Sequence, residues 1–115
     1  MKRVLIVDDD TNFRRSLAIG LEAMGYEVVE ARSGMEALEM LQSGDGPGTS
    51  IERAVVDARM PGLDGFWLTD QLALMYPELK VVILSAHAYP NEHERYTLLT
   101  KPVRLPNLAS LLETT

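Results

Sequence analysis

The stretch VLIVDDD, Val4 to Asp10, joins an apolar run directly to three aspartates. Four consecutive apolar residues are typical of a short strand that is buried on both faces. Carboxylates this close repel one another, and each is costly near an apolar core unless a cation lies beside it. The stretch itself contains no basic residue. A positive group must therefore reach these acids from elsewhere in the fold or from solution.

The composition is that of one globular domain over residues 1–115, with 46% hydrophobic and 24% charged residues. A net charge of −6 offers no basic face to a phosphate backbone, so we expect no direct nucleic-acid partner. The chain has no cysteine, which excludes disulfides and cysteine-ligated zinc. No apolar run approaches the roughly 18 residues of a spanning helix, and no secretory signal is visible. We therefore expect a cytoplasmic protein without a membrane partner.

Apolar runs alternate along the chain with segments of helical periodicity. The runs predicted as strands cover residues 4–7, 26–31, 54–56, 81–84 and 97–100. The segments predicted as helices cover residues 11–24, 34–41, 64–76 and 107–113. Strands that are apolar on both faces and alternate with helices predict an α/β fold. Its core would be a doubly wound, five-stranded parallel sheet.

Polar side chains stand at the ends of four predicted strands. Ligands of a doubly wound sheet bind outside the carboxyl ends of its strands. The residues at those ends are Asp8, Asp9, Asp57, Ser85 and Lys101. The three carboxylates form a hard oxygen cage that suits Mg²⁺, and Lys101 adds positive charge. One carboxylate could then attack a phosphoryl group to give an acyl phosphate, with a hydrogen bond from Ser85 to that group.

The stretches VLIVDDD, AVVDARMPGLDG, VVILSA and TKP resemble the receiver domain of two-component response regulators. The resemblance covers essentially the whole chain, and it implies a flavodoxin-like sheet with the strand order 2-1-3-4-5. It implies that Asp57 is the phospho-acceptor. It also implies that Asp8, Asp9 and Asp57 hold Mg²⁺ together with the Arg59 backbone carbonyl, with Mn²⁺ able to replace Mg²⁺.

The same resemblance assigns the remaining polar groups. Ser85 would be the switch hydroxyl, and Lys101 the phosphate-binding lysine, followed by Pro102 through a cis bond. The phosphoryl donor would be a histidine kinase or a histidine phosphotransferase. The target would be a downstream protein or an output domain outside this chain. The resemblance thus implies a signalling protein that catalyses its own phosphorylation and dephosphorylation rather than turnover of an external substrate.

The chain departs from the family pattern between Ser85 and Lys101. The family usually has Tyr or Phe three positions before the lysine, where this chain has Leu98. Tyr96 lies two residues earlier, on the same face of the predicted strand, and is a candidate for a displaced switch aromatic. Residues 86–96 are too few for a full helix between the fourth and fifth strands. We expect the fourth crossover helix to be shortened or absent.

Two other functions stay open on the sequence alone. A phosphatase of the haloacid-dehalogenase type also begins with an aspartate nucleophile after a buried strand. The stretch from Asp8 to Asn12 nearly fits its motif, but the fifth position is Asn12 rather than Thr or Val, and no second carboxylate pair follows. A pseudo-receiver, which binds partners without phosphorylation, is the other alternative; the presence of all five site residues argues against it.

Several side chains have simpler assignments. Asp10 or Thr11 is predicted to cap the first helix. Arg14 and Arg15 are predicted on a solvated face of that helix, where the resemblance would make Arg14 a docking residue for the kinase. The methionines and Trp67 are predicted to lie in the core.

Overall fold

A computed structural model describes residues 2–43, 51–60, 62, 64–87 and 96–113 of the chain. Its strands are Arg3–Val7 (β1), Glu27–Ala31 (β2), Arg53–Asp57 (β3), Lys80–Ser85 (β4) and Thr97–Thr100 (β5). Its helices are Thr11–Ala23 (α1), Gly34–Ser43 (α2), Gly65–Met75 (α3) and Leu105–Glu113 (α4). Every predicted strand and helix is therefore present, with ends close to those expected from periodicity.

The five strands form one parallel sheet in the order β2-β1-β3-β4-β5, which confirms the expected doubly wound fold. In the register of the sheet, Val7 lies beside Ala31 of β2 and Val56 of β3, and Asp57 lies beside Leu84 of β4. Because the strands run in the same direction, their carboxyl ends share one edge of the sheet. The loops that leave this edge carry the polar residues singled out above.

The sheet has an apolar core on each face. Val4 and Ile6 point to one face of β1, and Leu5 and Val7 to the other, because side chains alternate along a strand. The first core is completed by residues from α1 and α4, among them Leu17, Leu21, Leu108 and Leu112. The second core includes residues from α2 and α3, among them Ala37, Leu68 and Leu72. A central strand that is buried on both faces explains why VLIV shows no polar alternation.

Two aspartates begin the helices next to the carboxyl edge. Asp10 accepts a hydrogen bond from the Phe13 N–H at 3.2 Å, and Asp64 accepts one from the Trp67 N–H at 2.7 Å. Both are N-caps, which satisfy backbone donors that the first helical turn leaves without partners. The prediction of a cap at Asp10 is confirmed. With this cap, only three residues separate the end of β1 from the start of α1.

The expected burial of the methionines and Trp67 is wrong for most of these side chains. Trp67 is 44% exposed, and Met24, Met35 and Met75 are exposed as well, whereas Met60 is buried. Apolar residues occupy most of the circumference of α3, so periodicity could not indicate which of its faces packs on the sheet.

The predicted shortening of the fourth crossover falls on residues 88–95, which lie outside the described residues. The strands on either side are described: β4 ends at Ser85 and β5 begins at Thr97, as expected. The shortened or absent helix stays a prediction.

Glu113, the last residue of α4, joins that helix to the amino edge of the sheet. Its carboxylate pairs with Lys2, accepts the Tyr26 hydroxyl hydrogen at 2.6 Å, and lies 3.1 Å from Arg53 Nε. The hydrogen bonds from Lys2 and Tyr26 lower the pKa of Glu113 to about 2. Burial, followed by the bond to Glu113, raises the pKa of Tyr26 to about 12. This cluster stabilises the fold at the edge opposite the aspartates.

The pKa of Glu113 predicts an acid-dependent loss of stability. A carboxyl group whose pKa is lower in the folded state stabilises the fold above its unfolded value of 4.5, and this contribution disappears as the pH falls towards 2. Because Glu113 is partly exposed, we expect a contribution below about 1 kcal/mol. Urea unfolding of the parent and of Glu113→Gln should differ at neutral pH and converge across this pH range. Tyr26→Phe, which keeps both ion pairs of Glu113, should retain most of the pH dependence; parallel curves for the parent and Glu113→Gln would contradict the assignment.

A second prediction concerns Gly65, the first residue of α3. A Cβ atom there would lie 2.1 Å from the backbone oxygen of Asp57, which cannot move without displacing β3. We expect Gly65→Ala to lower the free energy of unfolding by about 1–3 kcal/mol. The matched control is Gly20→Ala in α1, whose Cβ would meet only the flexible end of Leu105 and which gains helix propensity. The measurement is the denaturant midpoint of each variant. An equal loss of stability in Gly65→Ala and Gly20→Ala would be inconsistent with a close approach between the backbones of Gly65 and Asp57.

Candidate functional site

Three carboxylates meet at the carboxyl edge of the sheet. Asp8 and Asp9 follow β1, and Asp57 is the last residue of β3, the neighbouring strand. One oxygen of each lies within 4.8 Å of the others. Asp8 is only 1% exposed, Asp57 is half-buried and Asp9 is exposed. The predicted convergence of the three acids is thus found in the fold.

The environment of Asp8 tests whether a cation fits this cluster. Its Oδ1 accepts a hydrogen bond from the Asp10 N–H at 2.9 Å, but its buried Oδ2 has no hydrogen-bond partner among the described residues. Burial raises the pKa of Asp8 to about 6; the bond from Asp10 opposes this shift, and the Asp57 carboxylate adds to it. Buried polar atoms nearly always have partners. A buried oxygen without a hydrogen bond, on a carboxylate that lies close to two others, fits a hard divalent cation.

Lys101 brings the first positive charge to the acids. Its ammonium nitrogen lies 3.6 Å from Asp57 Oδ1 and 4.0 Å from Asp8 Oδ2. The same ammonium lies over the Phe13 ring, 4.3 Å from the ring centroid, a cation–π contact that holds the chain end in place. The Lys101–Pro102 bond is cis, as the resemblance implied. One ammonium facing three carboxylates leaves a net negative charge, so Lys101 offsets the charge of the three aspartates only in part.

Ser85 lies at the same edge with its hydroxyl engaged in its own loop. It is buried, donates a hydrogen bond to the His87 carbonyl at 2.8 Å and accepts one from the His87 N–H at 3.0 Å. The Arg59 N–H donates a hydrogen bond to Asp57 Oδ1 at 3.4 Å. The Arg59 backbone thus contacts the Asp57 carboxylate, and Ser85 ends β4, the strand next to the one that carries Asp57.

Tyr96, the candidate displaced aromatic, contacts α3. Its hydroxyl donates to Asp70 Oδ1 at 2.9 Å, and its ring meets the Phe66 ring edge-on, with centroids 5.0 Å apart. Leu98, in the usual aromatic position, is partly buried in β5. Tyr96 therefore connects the start of β5 with the helix that follows the Asp57 loop.

Arg14 is a residue of the site that the sequence analysis misplaced. It is only 6% exposed; its NH1 donates to the Asp8 carbonyl at 2.8 Å and its Nε to Glu30 Oε1 at 2.9 Å. The prediction of a solvated Arg14 is wrong, whereas its role as a docking residue stays a prediction. The signal was available: Arg14 lies three and seven residues before the buried Leu17 and Leu21, on the packed stripe of α1. Arg15 is exposed, as predicted, and also pairs with Glu30.

Comparison with known proteins identifies the family of the chain. The family model of the response regulator receiver domain matches residues 4–113, so the chain belongs to this family. It is a receiver domain of the two-component type, which sets aside the phosphatase alternative. Receiver domains bind Mg²⁺ at acidic clusters, and the three aspartates form such a cluster here. Among the described residues, no helix has the length and apolar character needed to cross a membrane.

Similar proteins include longer regulators. The chain is 33% identical over 106 residues to the transcriptional regulatory protein GlrR of Escherichia coli K12, covering 87% of this chain and 23% of that protein. It is 42% identical over 84 residues to the response regulator MprA of Mycobacterium ulcerans, covering 73% of this chain and 34% of that protein. The chain thus spans about a quarter to a third of the length of these relatives.

A solved structure shares the fold over nearly the whole chain. It is that of the response regulator TrrA from Thermotoga maritima in complex with Mg²⁺ and BeF. The TM-score is 0.79 with 27% sequence identity, and the alignment covers 97% of this chain and 100% of that one.

The buried carboxylate of Asp8 predicts a stability change in the absence of metal. Because the pKa of Asp8 is about 6 in the fold against 3.8 ordinarily, its stabilising protonated form is lost as the pH rises through 6. In chelator at neutral pH, we expect Asp8→Asn to unfold at a higher denaturant concentration than the parent. Its free energy of unfolding should be higher by on the order of 1–3 kcal/mol. This advantage should disappear as the pH falls towards 3.8.

The control for this prediction is Asp9→Asn, which removes a neighbouring but exposed carboxylate and should give a smaller gain. Added Mg²⁺ should stabilise the parent by mass action and the Asp8→Asn variant far less. A less stable Asp8→Asn protein in chelator would show that the Asp8 carboxylate has a structural partner.

Proposed function

We propose that Asp57 accepts a phosphoryl group from a phosphohistidine in a Mg²⁺-dependent reaction. The observation that carries this proposal is the cluster of Asp8, Asp9 and Asp57 with the Lys101 ammonium 3.6 Å from Asp57 Oδ1. An Asp57 oxygen attacks the phosphorus and the phosphorus–nitrogen bond of the donor breaks. The imidazole then leaves with the bonding electron pair and takes up a proton.

Exposure and charge distinguish Asp57 from its neighbours. Asp8 is too deeply buried for its carboxylate to meet a donor on another protein. Asp9 is exposed, but Lys101 forms ion pairs with Asp8 and Asp57. The Asp57 side chain is 13% exposed, against 2% for Asp8, and it lies next to a cation that neutralises charge on the phosphoryl oxygens as the bond forms. Asp57 is therefore the nucleophile we infer.

The remaining acids would hold the metal. Asp8, Asp9, Asp57 and the Arg59 backbone carbonyl are the ligands we assign to Mg²⁺, with Mn²⁺ able to replace it. When bound, the ion neutralises the carboxylates and the phosphoryl oxygens. Asp8 Oδ2 supports this assignment, because in the described part of the chain it is a buried acceptor without a hydrogen bond, on one of the three clustered carboxylates.

Ser85 and Tyr96 are proposed to report phosphorylation. The Ser85 hydroxyl can exchange its bond to the His87 carbonyl for one to a phosphoryl oxygen, so that one hydrogen bond replaces another. Tyr96 is proposed as the displaced switch aromatic. Its bonds to Asp70 and Phe66 would transmit a change in the adjacent loops to α3.

The partners follow from the family. Receiver domains interact with histidine kinases and output domains. Relatives of this chain include the sensor histidine kinase RcsC of Salmonella typhi and the response regulator MprA. We propose that a histidine kinase or a histidine phosphotransferase supplies the phosphoryl group in the cytoplasm. The response would pass to a downstream protein or to an output domain outside residues 1–115.

The proposal predicts a single phosphorylation at Asp57. Acetyl phosphate with Mg²⁺ should add the mass of one phosphoryl group to the intact parent protein, and chelator should abolish the addition. Asp57→Asn should gain no such mass, because an amide is not a nucleophile towards phosphorus at neutral pH. Asp10→Asn is the matched control, since asparagine also caps helices and Asp10 lies next to the cluster. An unchanged adduct on Asp57→Asn would refute the assignment. A protein that binds partners normally yet gains no phosphoryl group under any of these conditions would be a pseudo-receiver.

A further inference from the structure

Arg14 makes two hydrogen bonds that neither the chemistry of Asp57 nor the packing of α1 requires. Its guanidinium is buried beside β1 and β2, where NH1 donates to the Asp8 carbonyl and Nε to Glu30 Oε1. An arginine is expensive to bury unless its donors are satisfied by charged or polar acceptors. Glu30 supplies the countercharge, and the exposed Arg15 pairs with its second oxygen.

The hydrogen bond from Arg14 to the Asp8 carbonyl bears on the orientation of the two proposed metal ligands, Asp8 and Asp9. The Asp8 carbonyl belongs to the planar peptide unit between Asp8 and Asp9, so fixing this oxygen fixes ψ of Asp8 and φ of Asp9 together. On the other side, the Asp8 N–H donates to the Ala31 carbonyl of β2 at 3.1 Å. The backbone of Asp8 is thereby held at both its donor and its acceptor. The backbone so held sets the directions of the Cα–Cβ bonds from which the two carboxylates extend.

We propose that Arg14, oriented by Glu30, is a positioning residue that aims the Asp8 and Asp9 carboxylates at the divalent cation. This inference rests on the proposed function, because it takes these carboxylates as the ligands. Groups that orient the ligands of a metal site typically change its affinity about 10- to 100-fold when they are removed. In the described part of the chain, the Arg14 side chain hydrogen-bonds to the Asp8 carbonyl and to Glu30, so we assign it to positioning rather than to the reaction itself.

A purely electrostatic role for Arg14 predicts the opposite result. A cation next to a Mg²⁺ site repels the ion, so removing the arginine charge alone would tighten Mg²⁺ binding. Loss of positioning would weaken binding instead. The variant Arg14→Lys also distinguishes the electrostatic role from the positioning role. It keeps the positive charge, but one ammonium lacks the forked donors that reach Glu30 and the Asp8 carbonyl at once.

The test is calorimetric titration of the folded protein with Mg²⁺ alone at neutral pH and fixed ionic strength. We expect Arg14→Met to bind Mg²⁺ about tenfold more weakly than the parent, and Arg14→Lys to recover at most part of the loss. Glu30→Gln should also weaken binding, because it loosens the guanidinium. The matched control is Arg15→Met, which removes a positive charge from the same helix. Arg15 also pairs with Glu30 but makes no bond to Asp8 among the described residues, so the variant should bind Mg²⁺ with the affinity of the parent.

The outcomes separate the inference from the function on which it rests. Equal or tighter Mg²⁺ binding by Arg14→Met overturns the positioning role, as does a lower melting temperature with unchanged affinity at a temperature where the variant is folded. If Arg14→Met does not fold, parent-like affinity in both Arg14→Lys and Glu30→Gln overturns it equally. A parent protein that binds no Mg²⁺ instead refutes the proposed function. If the parent is phosphorylated and the Arg14 variants bind Mg²⁺ as tightly as the parent, the positioning role is refuted and the proposed function is not.

Discussion

The repulsion among three carboxylates at one edge of the sheet is the constraint on which the rest of the site depends. Asp8, Asp9 and Asp57 come within 4.8 Å of one another because β1 and β3 are adjacent and parallel. Lys101 reaches two of them from the end of β5, yet Asp8 Oδ2 has no hydrogen bond among the described residues. Within that part of the chain, the fold creates a demand for positive charge that its side chains do not fully meet. Such a site favours a divalent cation and a phosphoryl group together, since each compensates the charge of the other.

The start of α1 supports this cluster through contacts of Asp10, Phe13 and Arg14. The N-cap at Asp10 begins the helix, its backbone N–H binds Asp8, and Phe13 lies under the Lys101 ammonium. Arg14 then holds the Asp8 carbonyl. One helical turn thus contacts both the buried acid and the lysine, so displacement of α1 would alter the acids and their counterion together. The short link between β1 and α1 therefore also places the contacts that hold Asp8 and Lys101.

Stability and chemistry occupy opposite edges of the sheet. At the amino edge, Glu113 joins α4 to Lys2, Tyr26 and Arg53 with every charge matched by a partner. At the carboxyl edge, acids outnumber their partners, and the burial of Asp8 raises its pKa. Unfavourable charge at a functional edge is tolerated because the two apolar cores and the amino-edge cluster stabilise the remainder of the domain. Mg²⁺ binding would convert the unfavourable edge into a further source of stability by mass action.

The order of the elements, the sheet, and the convergence of Asp8, Asp9, Asp57 and Lys101 at its carboxyl edge were predictable from the amino-acid sequence, as was the place of Ser85 at the end of β4. The reason is that strand burial leaves a continuous apolar run, and parallel strands place their carboxyl ends together. The countercharge of Arg14 and the exposure of Trp67 required the tertiary structure. The spacing of Arg14 from the buried Leu17 and Leu21 places it on the packed stripe of α1, but only the meeting of α1 with Glu30 on β2 supplies its countercharge. Trp67 lies on a helix that is apolar on most sides, so which side packs is decided by the sheet beneath it. Local sequence determines which groups are present; the distances between strands and helices determine which of them become partners.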